Sequence, residues 1–364
     1  MKIELNLSPI ENRLENTRWP ILIAGPCSAE SERQMLETAR QLKASGRVSY
    51  FRAGIWKPRT RPGAFEGVGE IGLEWMQAVK RETGLLTACE VANAEHARLA
   101  LKYGVDVLWV GARTSANPFS VQEIADCLKG SSATVLVKNP VNPDLQLWIG
   151  ALERINRAGI TRLGAIHRGF SAYEKIPFRN APLWNIAIEL KTICPDLPLI
   201  CDPSHIAGAR ELVPLIAQKA LDLDMHGLMV EVHDNPSVAR SDAAQQLLPV
   251  DYARMIYDLR LREASPARAE AMPALDGYRQ EIDALDDGIM QQLARRMELS
   301  RKIGVYKKEN NLMVLQLSRW EEILHHRVAM ARAMGVGEGF MKKFLELVHE
   351  ESINLQAEIM NAKE

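Results

Sequence analysis

From residue 20 to about residue 250, short continuous apolar runs alternate with amphipathic stretches. The runs are PILIAGPC (20–27), SYFRAGIW (49–56), LLTACEV (85–91), VLWVGA (107–112), TVLVKN (134–139), TRLGAIHRG (161–169), PLICDPSH (198–205) and GLMVEVH (227–233). Between them lie stretches such as SERQMLETARQLKAS and VQEIADCLKG, with apolar positions at helical spacing. Strands apolar throughout and separated by helices predict a parallel sheet covered on both faces. Eight such units in about 230 residues match the length of a closed (β/α)8 TIM barrel. An open doubly wound sheet is the alternative, and the count of eight argues against it.

Near residue 260 the pattern changes. RLREASPARAEAMPALDG is rich in Ala, Pro and charge and reads as a linker or helix extension. Beyond it, Ile282, Leu285, Ile289, Leu293, Met297 and Ile303 recur at helical spacing, predicting one long helix over about 275–309. A second helix is expected over about 316–334, and a third from the GVGEG segment to the C-terminus. The expected organisation is a barrel over 1–255, a linker over 256–274 and a small all-α three-helix domain over 275–364. Its first helix is too long to bury within one chain, which suggests a homodimer.

Composition narrows the class. Of 364 residues, 47% are hydrophobic and 25% charged, enough apolar material for a large core. The net charge of −1 suggests no nucleic-acid partner and no anionic membrane surface. The N-terminus has neither the basic start nor the apolar core of a signal peptide. No apolar run approaches the roughly 18 residues of a membrane helix. The cysteines are an odd five and scattered, unlike a secreted disulfide framework. A cytoplasmic protein with reduced thiols is expected.

In a barrel, catalytic groups collect where strands end. Cys27, His205 and Glu231 end strands one, seven and eight, and Asp242 follows in a loop. A thiolate, an imidazole and two carboxylates form a mixed divalent-metal site. Singly, a Cys is more often a small core residue and a loop Asp more often solvated. Their joint placement at matching ends carries the reading. A second set is cationic: Arg52, Lys57, Arg59, Arg113, Lys138 and Arg168. Several cations converging on one mouth imply a substrate with more than one anionic group, against the alternative of a solvated rim. Arg113, Lys138 and Arg168 follow apolar strand residues, where an unpaired half-buried charge is costly and a phosphorylated substrate would offset it.

The motifs GPCS, FRAGIWKPRT, GART, VKNP, HRG, DPSH, MVEVH and SDAAQQL resemble, in order and spacing, the type I 3-deoxy-D-arabino-heptulosonate 7-phosphate synthases, closest to their beta subclass. The related 3-deoxy-octulosonate 8-phosphate synthases share the barrel and the cysteine but differ where this chain has KPRT. The resemblance implies that Cys27, His205, Glu231 and Asp242 bind a divalent ion, Mn2+ first, with Fe2+, Co2+ or Zn2+ able to serve. It implies that Arg113, Lys138 and Arg168 hold the phosphate of phosphoenolpyruvate, with Arg52 and Lys57 near its carboxylate. Arg59 and Thr60 would grip the phosphate of erythrose 4-phosphate. Lys57 becomes a candidate acid for the new alkoxide, and Glu90 or His167 a candidate for handling the water that adds.

On the long helix, Arg296 and Lys307 are eleven residues apart and eclipsed to within roughly 20°, whereas Arg279 lies about 100° around. The tail resembles the all-helical chorismate mutases, in which two subunits intertwine and an Arg matching Arg279 crosses into the partner's site. That implies chorismate binding by Arg279, Arg296, Lys307, Arg319, Ser352 and Gln356 and a cofactor-free rearrangement to prephenate, with Arg296 and Lys307 catalytic. Cations would hold the dicarboxylate in its compact conformer and stabilise the charge developing on the ether oxygen. Two positions depart from the pattern: Gln316 stands for an Asp, and Trp320 for a Glu, unless a register shift of one offers Glu321. The resulting expectation is a bifunctional enzyme inhibited through the tail by prephenate or chorismate. The alternative is a synthase whose tail is only a sensor and dimerisation module.

Overall fold

The computed structural model describes residues 2–12, 20–58, 63–262 and 271–362. Each apolar run holds one strand: β1 (Ile21–Gly25), β2 (Tyr50–Ala53), β3 (Leu86–Val91), β4 (Val107–Val110), β5 (Thr134–Lys138), β6 (Leu163–His167), β7 (Leu199–Cys201) and β8 (Gly227–Glu231). Neighbours pair in parallel, and β1 meets β8 with Ile21 opposite Gly227 and Gly25 opposite Glu231. The sheet is therefore a closed eight-stranded barrel, as expected. The intervening helices start where short polar side chains accept free backbone N–H groups. Ser31, Asn93, Asn117 and Asp144 each cap a helix in this way.

Successive side chains on a strand point to opposite faces, so each run feeds two cores. The lumen holds Ile21, Ile23, Tyr50, Leu86, Ala88, Val107, Trp109, Leu136, Ile166, Ile200 and Met229. The alternate residues face the surrounding helices, as Leu22, Phe51, Cys89, Leu108, Val135 and Ala165 do. Ile10 packs against the lumen cluster. Strand one ends at Gly25 with φ +149, and a Cβ there would lie 2.2 Å from the Arg52 carbonyl oxygen. Only glycine lets β1 and β2 approach this closely.

Residues 265–364 form a second compact unit. It has a long helix (Ala271–Glu309), a middle helix (Leu317–Ala333) and a C-terminal helix (Glu338–Asn361). The long helix starts at 271, four residues before its expected start, because Pro273 is compatible with a first helical turn. Gly335, at φ +77, ends the middle helix. The first half of the long helix leaves Ile282, Leu285 and Ile289 more than half exposed. Among the described residues no helix is long and apolar enough to cross a membrane.

Candidate active sites

The lumen positions, continued one step toward the strand ends, turn polar. Two residues beyond Tyr50, Ala88, Leu136, Ile166, Ile200 and Met229 stand Arg52, Glu90, Lys138, Arg168, Asp202 and Glu231. The same alternation that builds the apolar lumen thus sets six polar side chains around the mouth. Arg52 and Glu231 pair at 3.2 Å and are essentially inaccessible, as are Lys138 and Asp202 at 2.8 Å. Lys138 therefore has a buried anion beside it, so the unpaired charge that the sequence suggested is not found there. Arg113 departs differently, being exposed rather than half-buried. Arg168 is half-buried and donates to Asn180 Oδ1 at 2.8 Å. Burial, then the neighbouring Arg179 and Arg113 working against Asp202, push its pKa down to about 10.

One donor atom each from Cys27, Glu231 and Asp242 lies within 4.8 Å of the others. Cys27 Sγ is 3.4 Å from Asp242 Oδ2, and Lys57 Nζ is 3.1 Å from the same sulfur. His205 stands beside this trio, its Nε2 3.8 Å from Glu231 Oε1. Its Nδ1 lies 2.8 Å from Asp202 Oδ2. A carboxylate on one imidazole nitrogen fixes the ring and leaves the other for a cation, the usual arrangement of a metal-ligating histidine. Burial lowers the His205 pKa, more than Asp202 and Glu231 raise it, so Nε2 keeps its lone pair at neutral pH. Burial and the Glu231 charge push the Cys27 thiol up to about 12, an acidity a bound cation would reverse. Soft and hard donors converging in this way fit a divalent transition metal.

His167 does not join the set. It has the parity of Leu163 and Ala165 and faces outward, where its ring meets those of Trp148, Phe170 and Trp184 at 6.3, 5.8 and 5.2 Å. Burial lowers its pKa to about 4. The expectation that it handles water at the mouth fails on this orientation, and the neighbouring Arg168 takes the inward position. Glu90 does face inward, accepting from Trp109 Nε1 at 2.9 Å. Arg59 and Thr60 lie outside the described residues.

In the helical unit, Arg296 donates to Ser352 Oγ and to the Val348 carbonyl. Lys307 donates to Gln356 Oε1 at 2.9 Å and to the Val314 carbonyl at 2.6 Å. Four of the six expected chorismate contacts thus line one seam between the long and C-terminal helices. Arg279 and Arg319 are exposed and pair locally with Asp276 and Glu322. Trp320 stacks on His349, whereas Glu321 is exposed. Gln316 is exposed and precedes the middle helix.

The DAHP synthetase I family model matches residues 15–261, and the chorismate mutase type II model matches residues 278–357. The chain belongs to the DAHP synthetase I family. Its helical unit is a chorismate mutase type II domain carried behind that barrel. The phospho-2-dehydro-3-deoxyheptonate aldolase of Thermotoga maritima is 32% identical over 226 residues, which are 62% of this chain and 64% of the relative. The chain thus spans slightly less than two thirds of that relative's length. The 2-dehydro-3-deoxyphosphooctonate aldolase of Laribacter hongkongensis is 29% identical over 252 residues, 61% of this chain and 83% of its own. The crystal structure of the Thermotoga aldolase superposes with a TM-score of 0.60 at 30% identity, covering 65% of this chain and 67% of that one. A truncated 3-deoxy-D-arabino-heptulosonate 7-phosphate synthase from the same organism gives 0.57 at 27%, covering 65% and 84%.

In this DAHP synthetase I barrel, several polar residues escape a reading of strand ends. Asp202 joins Lys138 to His205 and caps the short helix Pro203–Ala207. Its place directly after an apolar strand was a usable signal. Gln245 donates to Glu231 Oε2 at 2.7 Å. Arg179 reaches Asp242 Oδ1 at 2.9 Å and Gln245 Oε1 at 2.8 Å. Asn180 joins Arg168 to the His205 carbonyl. Gln245 lies within the SDAAQQL motif, but nothing in the local sequence marks Arg179 or Asn180, because only the fold brings their loop to the site.

Proposed function

We propose that the chain is a bifunctional shikimate-pathway enzyme. The barrel condenses phosphoenolpyruvate with erythrose 4-phosphate to 3-deoxy-D-arabino-heptulosonate 7-phosphate and phosphate. The helical unit rearranges chorismate to prephenate. The first activity rests on the convergence of Cys27, Glu231 and Asp242 beside Lys57. Cys27, His205, Glu231 and Asp242 would hold a divalent cation, Mn2+ first among Mn2+, Fe2+, Co2+ and Zn2+. When bound, it supplies Lewis acidity toward an aldehyde oxygen.

The protein's own groups do the rest. Arg113, Lys138 and Arg168 hold the phosphate of phosphoenolpyruvate at the mouth, and Arg52 and Lys57 lie on its carboxylate side. Arg59 and Thr60 take the second phosphate. Lys57, beside the cysteine sulfur, is placed to protonate the alkoxide that forms as the new carbon–carbon bond closes. Glu90 is the remaining candidate for the water that adds before phosphate leaves. In the tail, Arg296 and Lys307 hold the two carboxylates of chorismate with Ser352 and Gln356. Arg279 and Arg319 complete the pocket, Arg279 from a second copy in an intertwined homodimer. Prephenate binding at the tail restrains the barrel, and the enzyme works in the cytoplasm.

The test follows phosphoenolpyruvate consumption with erythrose 4-phosphate on chelator-stripped protein, with and without Mn2+ and prephenate. Turnover restored by the metal and reduced by prephenate is the expected result. No turnover with any of the four metals refutes the synthase. The exposed Arg279 and Arg319 favour a second reading, in which the tail only senses its ligand. A chorismate rate no better than the uncatalysed reaction would establish it.

A further inference from the structure

Three residues of the C-terminal helix, His349, Ser352 and Gln356, stand at i, i+3 and i+7 and so share one face. Ser352 meets Arg296 and Gln356 meets Lys307. His349 is half-buried on the same face, its ring stacked on Trp320 with centroids 4.0 Å apart and planes 16° from parallel. Among the described residues its ring nitrogens have no hydrogen-bond or ion-pair partner, although the stack fixes the ring plane. Burial, then the charges of Arg296 and Lys307, hold its pKa below the ordinary value, so the ring is neutral, with one donor and one acceptor nitrogen. The stack holds the ring plane beside two cations, so its nitrogens are presented to an oxygen that those cations bind.

We infer that His349 is a substrate-contacting residue of the helical site, offering a ring nitrogen to an oxygen of the dicarboxylate held by Arg296 and Lys307, with Trp320 as the residue that positions its ring. The inference deepens the chorismate reading and rests on it. It adds to the cationic anchors a neutral, directional contact, which discriminates by geometry where a cation discriminates by charge.

The test uses the full-length chain and follows the loss of chorismate, with kcat and KM measured separately. His349→Phe keeps a flat ring for the stack and removes both nitrogens. His349→Asn and His349→Gln return a nitrogen near the Nδ1 and Nε2 positions. KM in His349→Phe should rise about tenfold or more, the loss of one hydrogen bond to a charged group, with an unchanged thermal melt. One of the two amide variants should recover most of that loss. A KM in His349→Phe within about twofold of wild type overturns the inference, leaving the ring a packing element. An equal rise in all three variants overturns it too, since ring shape alone would then matter. Wild-type protein that does not turn over chorismate removes the mutase reading and this inference together. An active wild type with an indifferent His349→Phe removes only the inference.

Discussion

Arg179 shows what a single side chain decides at the barrel mouth. Its guanidinium spans Asp242 and Gln245, and Gln245 in turn holds Glu231, so one residue orients two of the proposed metal ligands. Replacing Arg179 by Ala should weaken Mn2+ binding by about 10–100-fold, the usual cost of losing an outer partner of a ligand. Titration of the free-ion electron paramagnetic resonance signal reads this directly, and an unchanged affinity would exclude the positioning role. His167 gives a second test. Its folded pKa of about 4 lies below the ordinary 6.5, so between those values the unfolded chain takes up a proton that the folded chain does not. Its contribution is complete above pH 6.5 and is lost as the pH falls toward 4, by roughly 3 kcal/mol at most. In His167→Phe, urea midpoints should fall less between pH 7 and 4.5 than in wild type, while phosphoenolpyruvate turnover persists. A variant that abolishes turnover yet keeps its fold would return His167 to the chemistry.

At the scale of elements, the strand is the unit that couples packing to function. Alternation puts Ala88 and Glu90, or Leu136 and Lys138, on one side, so a strand that fills the lumen also arms the mouth. The run TRLGAIHRG shows the limit of reading strand ends without parity. His167 and Arg168 both look terminal, and only the inward phase of Ile166 assigns the mouth to Arg168. Close approach of strands is equally specific. Gly25→Ala would drive a methyl into the Arg52 carbonyl, and the urea midpoint should record a loss of at least ~2 kcal/mol. Little change in that midpoint would mean that β1 can move away from β2 without strain.

At the scale of the molecule, the long helix leaves an apolar flank exposed. Ile282, Leu285 and Ile289 form an exposed apolar stripe of the kind that marks an association surface. In the proposed homodimer, Ile282→Glu combined with Leu285→Glu should leave only monomer in analytical ultracentrifugation and abolish chorismate turnover, with the barrel activity retained. A dimer that survives both charges would place the association elsewhere.

The sequence by itself determined the barrel and the helical tail, and it pointed to several of the side chains that meet at the mouth and along the helical seam. Apolar runs of strand length, helical spacing and polar strand ends are local patterns, and local patterns survive in a linear string. The tertiary structure alone decided which buried cations carry their own anions, as Lys138 does with Asp202 and Arg52 with Glu231, each pair reaching past one intervening strand. It also decided that Arg179 and Gln245 brace Asp242 and Glu231, and that Trp320 rather than Glu321 faces His349. These are contacts between residues as much as 179 positions apart, set by barrel closure and helix packing. No spacing along the chain encodes them.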